Sequence, residues 1–193
     1  MDSQTKVTGL ILAGGQARRM NYQDKGLQNF RGQLLISYSF SALRPIVDEL
    51  WINANRNLEI YQAFGVPVIS DLTQDFSGAL AGILAAITYT DADLLMVVPC
   101  DAPFITTAQL QHLLSEHQKN KAEITVACTG KQVHSVFLVI STHLKTSLET
   151  YLAKNNHKVI LWFGQHKTNY VDFGANARGF ENINTLEELK AMA

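Results

Sequence analysis

The chain has 193 residues, 47% of them apolar and 17% charged, with a formal net charge of −1. That length suffices for one domain with a sizeable core, 1–193, and that composition excludes a disordered chain. The charge balance gives no electrostatic case for a nucleic-acid or membrane partner, so local basic clusters need a local explanation.

No apolar run approaches the ~20 residues that span a bilayer, and the start Met1-Asp2-Ser3-Gln4-Thr5-Lys6 lacks a signal-peptide core. Cys100 and Cys128 lie far apart in apolar segments, which suggests no disulfide framework. A cytoplasmic location is expected.

Val7 to Ala13 reads as a first strand, apolar enough to be central and covered on both faces. It breaks at Gly14-Gly15 and is followed by Arg18, Arg19 and Lys25. The spacing of Leu34, Leu35, Tyr38, Ala42 and Leu43 predicts a helix ending before Pro45. Glu49–Asn53 is a second strand, Asn57–Phe64 a helix closed by Gly65, and Val66–Ser70 a third strand running into Asp71.

An alanine-rich helix starts at Gly78 and contains Gly82. Leu94–Val98 is a fourth strand, leading into Pro99-Cys100-Asp101-Ala102-Pro103. Thr106 and Gln109 form a capping-box pattern for a helix to His117. Two strands, Glu123–Cys128 and Ser135–Ile140, flank Thr129-Gly130-Lys131. Helices are predicted at Leu144–Ala153 and Val159–Phe163, a strand at Asn169–Phe173, and a last helix from Thr185 with Glu188 in a second capping pattern. Alternation of strands and helices over the first 120 residues or so points to an α/β fold with a mostly parallel central sheet.

The ends of the first four strands carry the functional argument. They are Ala13-Gly14-Gly15, Asn53, Asp71 and Asp101. In an open parallel sheet, ligands bind outside the carboxyl ends of the strands, so parallel strands would bring these features to one edge. Glycines let backbone N–H groups approach anionic oxygens, and Arg19 and Lys25 can neutralise them. The loop is neither a dinucleotide fingerprint nor a P-loop, because G-x-G-x-x-G and a correctly spaced G-K-[ST] are both missing. Asp101, stiffened by flanking prolines, suits a magnesium ligand alongside substrate phosphates and water, although an aspartate after a strand also serves as a cap. The six histidines show no metal-ligand spacing and are expected at the surface or at caps, and Trp51 and Trp162 are expected in the core. These residues alone reach a nucleotide-polyphosphate enzyme using magnesium, with base and acceptor open.

Leu12-Ala13-Gly14-Gly15, Arg18-Arg19-Met20 and Asp24-Lys25-Gly26-Leu27 resemble the signature of nucleotidyltransferases. With Asn53-Ala54-Asn55-Arg56, Asp71, Gly78-Ala79-Leu80-Ala81-Gly82, the Asp101 loop and Asn182-Ile183-Asn184-Thr185, the chain resembles the molybdenum cofactor guanylyltransferases from residue 9 to 189. The resemblance implies a three-layer Rossmann-like nucleotidyltransferase fold. It implies transfer of GMP from GTP to molybdenum-molybdopterin with loss of pyrophosphate. It places the nucleotide on Leu12, Ala13, Gly14, Gly15, Lys25, Asn53, Asp71 and Asp101, and Mg2+ on Asp101. Lys25, Asp101 and Arg19 become the catalytic set, and Asn182, Asn184, Gly78 and Gly82 the pterin side. It also implies transient contact with molybdenum-insertion proteins and molybdoenzyme chaperones.

The chain departs from the family pattern at Asn21-Tyr22, where glycines are usual, and at Ala79, Ser135 and Leu186, where prolines are. The alternatives are a related transferase using CTP or a sugar or alcohol phosphate, or a non-catalytic nucleotide- or cofactor-binding protein.

Overall fold

The computed structural model describes residues 5–15, 23–73 and 78–192. Its central strand is β1, Val7–Leu12, which pairs in parallel with β4, Glu49–Asn53, on one side and β6, Leu94–Pro99, on the other. β5, Val68–Ile69, extends the β4 side, also in parallel. Beyond β6 come β8, Gln132–Ser141, then β7, Ile124–Thr129, then β9, Thr168–Asp172, giving the order β5-β4-β1-β6-β8-β7-β9. Only β8 runs against the others, because β7 and β8 form a hairpin whose register shifts between Val126 and Ala127.

Side chains alternate between the faces, as the pleat requires. Leu94, Met96 and Val98 of β6 join one core with α1, Leu35–Leu43, and α4, Thr107–Asn120. Leu95 and Val97 join the other with α3, Ala79–Tyr89, α5, Lys145–Ala153, and α6, Val159–Phe163. Helices on both faces and a mostly parallel sheet make the three-layer α/β arrangement that the sequence pattern and the resemblance implied. Trp51 and Trp162 are buried in the second core. Cys100 and Cys128 are free and buried. No helix among the described residues is long and apolar enough to cross a membrane.

The structure differs from the sequence expectations in places with clear local causes. The third strand shrinks to Val68–Ile69, since Pro67 has no N–H to donate and β5 pairs only with β4. The helix after Asn57 is shorter, α2, Leu58–Gln62. An additional hairpin, β2, Asn29–Phe30, with β3, Gln33–Leu34, turns through Arg31 (φ 51°) and Gly32 (φ 85°). Two positive φ angles suit the twist of a two-residue hairpin turn, and glycine adopts one at little cost. The last helix is α7, Leu186–Met192. Ile183 and Leu189 bury themselves with Phe30 and Leu35, so the end of the chain is docked beneath this hairpin.

The expectation of surface or capping histidines fails at His117. It is 3% exposed and bonded through Nδ1 to Thr125 Oγ1 at 3.0 Å.

Candidate active site

The parallel pairing carries the β1, β4, β5 and β6 strand ends to one edge of the sheet, with Leu12 opposite both Asn53 and Pro99. The backbone just beyond β1 is held on both sides. Ala13 N–H donates to the Asn53 carbonyl at 2.8 Å, and Cys100 N–H donates to the Leu12 carbonyl at 3.1 Å. Gly14 and Gly15 therefore leave the sheet at a fixed point. Their carbonyls accept from Asn55 Nδ2 and Arg56 Nη2, each at 3.2 Å. Neither Gly14 N–H nor Gly15 N–H has a protein acceptor among the described residues, leaving two backbone donors for an anion.

The β4 side of this edge is a closed amide–carboxylate network. Asn53 Nδ2 donates to Asp71 Oδ1 at 2.9 Å, and Asn55 Nδ2 donates to Asp71 Oδ2 at 2.9 Å. Asp71 N–H returns to Asn55 Oδ1 at 2.9 Å. Gly14 fits because a Cβ there would lie 2.8 Å from Asn55 Nδ2 and 2.9 Å from Asn53 Oδ1. Gly82 of α3 is buried on the same side, and a Cβ there would collide with Asn53 Oδ1. Gly78 precedes α3 with a φ of 74° and is exposed.

The β6 side is built differently. A 3-10 turn, Lys25–Leu27, follows Asp24. Asp24 is buried, accepting from the Tyr61 hydroxyl on one oxygen and from Asn57 Nδ2 at 3.0 Å on the other, with Arg56 Nε 3.7 Å away. This anchor fixes the residue next to Lys25. Lys25 Nζ then donates to Asp101 Oδ2 at 3.1 Å and to Asn184 Oδ1 at 2.9 Å. An ammonium has three protons, so one donor remains for a ligand.

Asp101 is 5% exposed, and its second oxygen, Oδ1, is buried without a hydrogen-bond partner among the described residues. Burial pushes the Asp101 carboxyl above the ordinary carboxylate range, and Lys25 pulls it only part of the way back. Burial, reinforced by Asp101 and Asp24, likewise pushes the Cys100 thiol well up.

The C-terminal segment closes this side. Ile183 N–H donates to the Asp101 carbonyl at 2.9 Å, and Asn184 Nδ2 to the Asn182 carbonyl at 3.2 Å. Glu188 accepts from Asn184 N–H at 2.7 Å, while Thr185 Oγ1 accepts from Glu188 N–H at 3.1 Å. The expected capping pattern is thus present, with its return bond displaced by one residue from Thr185 to Asn184.

Among the residues singled out from sequence, Leu12, Ala13, Gly14, Gly15, Asn53, Asp71, Lys25, Asp101 and Asn184 gather at this edge. Asn182 is adjacent through Asn184. Gly82 meets Asn53 on the β4 side, apart from the Asn184 contacts at Lys25. Arg19 lies outside the described residues, as do Arg18 and Asn21-Tyr22. In the sequence Asp24 stands in the signature and Asn57 and Tyr61 in a predicted helix, with no site role for any of the three. An acidic residue next to a site lysine was the available signal for the first, and nothing local marks the other two.

Backbone donors, a lysine and a half-satisfied carboxylate at the carboxyl edge of a parallel sheet are the groups that could hold a polyphosphate. Residues 9–168 match the MobA-like NTP transferase domain, which defines the class as nucleoside-triphosphate transferase. The chain is 40% identical to the molybdenum cofactor guanylyltransferase of Shewanella putrefaciens over 97% of this chain and 96% of that protein. It is 39% identical to the molybdenum cofactor guanylyltransferase of Histophilus somni, over 96% and 95%. The chain belongs to the molybdenum cofactor guanylyltransferase family. Its fold superimposes with a TM-score of 0.80 and 21% identity on a molybdopterin-guanine dinucleotide biosynthesis protein A from Archaeoglobus fulgidus, covering 96% of each chain.

Proposed function

We propose that this protein transfers GMP from GTP to the molybdenum-molybdopterin cofactor, forming the guanine dinucleotide cofactor and releasing pyrophosphate. It would work as one nucleotidyltransferase domain in the cytoplasm, where free Cys100 and Cys128 are at home. The observation that carries the reading is the Lys25–Asp101 pair, set at the carboxyl edge of the parallel strands beside the Gly14 and Gly15 N–H groups, which have no protein acceptor among the described residues. The full-length kinship with guanylyltransferases supplies the nucleotide and the acceptor. Transient contacts with proteins that insert molybdenum or receive the finished cofactor belong to the same reading.

In this mechanism the terminal phosphate of the acceptor attacks the α-phosphorus in line. A P–O bond forms there, the α–β bridging P–O bond breaks, and its electron pair leaves on pyrophosphate. A phosphate nucleophile is already ionised at neutral pH, so the protein positions and neutralises rather than abstracts a proton. Gly14 and Gly15 N–H groups hold phosphate oxygens. Lys25 spends its remaining donor on the charge that builds on the leaving group. Arg19 would add a second cation.

The residues fit a magnesium ion: Asp101 offers one buried oxygen with no protein partner, and no cluster of three or more His, Cys, Asp or Glu among the described residues competes for it. One carboxylate plus substrate phosphates and water is the usual hard-oxygen set for Mg2+, which would supply Lewis-acid polarisation of the phosphates. The Asn53–Asn55–Asp71 network would hold the nucleoside half.

The test is pyrophosphate release with GTP or CTP and molybdopterin carrying molybdate. Turnover with GTP is expected; turnover with CTP alone would overturn the guanine assignment.

A further inference from the structure

An open bowl of about 540 Å3 is walled by Arg31, Phe104, Arg178, Thr106, Gln109 and Asn176. Its chemistry is unlike that of a generic surface dimple. The Arg178 guanidinium stacks over the Phe104 ring with Cζ 4.4 Å from the centroid. The Arg31 guanidinium lies 5.9 Å from the same centroid and 4.9 Å from that of Phe30. Two full positive charges therefore share one aromatic ring. No carboxylate pairs with either among the described residues. Arg31 spends one donor on the Met192 carbonyl at 2.6 Å, and Arg178 spends none on a protein acceptor among the described residues.

The bowl is braced. Gln109 Oε1 accepts from Thr106 N–H at 3.1 Å, and Gln109 Nε2 donates to the Asn176 carbonyl at 2.9 Å. A Cβ at Gly179 would collide with that carboxamide, so the Arg178 segment lies directly on the start of α4. Arg31 sits at the tip of the β2–β3 hairpin with a φ of 51°, an uncommon conformation for a residue with a side chain. Planar guanidinium forks present paired donors that match phosphate and other oxyanions, and stacking fixes the plane in which they do so.

Chain connectivity ties the bowl to the reaction edge. Phe104 follows Asp101 by three residues, which span at most about 10 Å. Arg178 precedes Asn182 by four, and Ile183 is bonded to the Asp101 backbone. The nucleotide groups Gly14, Asn53 and Asp71 lie on the β4 side of β1, whereas Asp101 follows β6 and leads through Phe104 and Thr106 of the bowl into α4.

We infer that the Arg31–Arg178 bowl is a subsite for a second anionic group of the acceptor substrate, one whose reacting phosphate sits on the Asp101 side of the reaction edge. This inference rests on the transfer reaction proposed above. It gives Arg31 and Arg178 a positioning role: they hold the acceptor and do not touch the reacting atoms.

The experiment is steady-state kinetics of pyrophosphate release, with GTP and molybdate-loaded molybdopterin varied separately, for wild type, Arg178→Gln, Arg178→Lys and the double variant Arg31→Gln/Arg178→Gln. Both arginines are exposed, so folding is expected to be retained, and thermal melting verifies it. The acceptor KM is expected to rise about tenfold in the double variant, the size of one lost charge-assisted contact. The KM for GTP should stay within about twofold, and Arg178→Lys should restore part of the acceptor affinity. Raising the salt concentration should raise the wild-type acceptor KM more steeply than that of the double variant.

An unchanged acceptor KM overturns the subsite. So does an equal rise in the KM for GTP, which would make the bowl part of the nucleotide site. A change seen only when the acceptor is presented on a carrier protein also overturns it, by making the bowl a protein dock. If wild type itself forms no guanine dinucleotide, the transfer reading fails first and the subsite falls with it, an outcome separate from a wild type that turns over with indifferent variants.

Discussion

Three aspartates stand at the same sheet edge and live in two different worlds. Asp71 has both oxygens bonded by side-chain amides, and Asp24 has both oxygens bonded by Tyr61 and Asn57. Asp101 has one oxygen on Lys25 and the other buried with no partner among the described residues. A saturated carboxylate holds its neighbours in place and has little left to give a ligand. A half-saturated one bears the desolvation cost of its free oxygen in the folded state and recovers it only when a cation or donor arrives. The β4 side is thus a framework and the β6 side is where chemistry is prepared.

The largest expected effect comes from breaking the reactive side. Lys25→Ala should lower turnover by roughly 10²–10³-fold, the range for removing one group that stabilises developing charge. Stopped-flow or endpoint pyrophosphate assays read it. A fall of less than about threefold would move the chemistry elsewhere.

On the framework side, Asp71→Ala unties Asn53 and Asn55 together. It should raise the KM for GTP about tenfold with a smaller fall in kcat, and cost about 1–3 kcal/mol of stability through the amides it strands. The same losses in kcat as Lys25→Ala would erase the distinction between the two sides.

Gly82→Ala tests the framework without touching a charge. The added methyl meets Asn53, and overpacking of this kind costs about 1–3 kcal/mol, read as a lowered Tm. An unchanged Tm would show that the α3 contact carries no strain.

The smallest effect at neutral pH lies away from the edge. Burial holds His117 down at about 4, against an ordinary value of 6.5, and its Nδ1 is bonded to Thr125. The neutral ring is favoured in the fold, so this contribution is complete above about pH 6.5 and is lost as the pH falls towards 4. The loss should reach at most about 3 kcal/mol, and His117→Gln should flatten that part of the stability-against-pH curve. An unaltered slope would remove His117 from the acid response.

The sequence made some of this edge legible and left the rest obscure for physical reasons. Strand ends are marked locally, by apolar runs that stop at glycine, asparagine or aspartate, so Gly14, Asn53, Asp71 and Asp101 could be placed on one edge once the strands were read as parallel. The Thr106–Gln109 capping box and the helix Val159–Phe163 were also visible in their own residues. The partners of Asp24 are not, because Tyr61 lies 37 residues away and nothing near it announces a buried hydroxyl. Asn184, assigned to the pterin side by resemblance, makes its shortest side-chain contact with Lys25, a pairing across 159 residues that no local pattern encodes. The bowl between Arg31 and Arg178 was missed for the same reason: a hairpin tip and a 3-10 segment meet only in the folded chain. His117 was misplaced because its polar partner, Thr125, belongs to the next strand.

The most direct test of the contrast is Asp101→Asn, measured for both pyrophosphate release and thermal melting. The substitution keeps the shape, removes the buried charge, and replaces an oxygen suited to a cation with an amide. Turnover is expected to fall at least about 100-fold with Tm unchanged or raised, because the folded state disfavours the charged carboxyl. Turnover at the wild-type level, or a collapse in Tm with activity per folded molecule intact, would contradict that contrast.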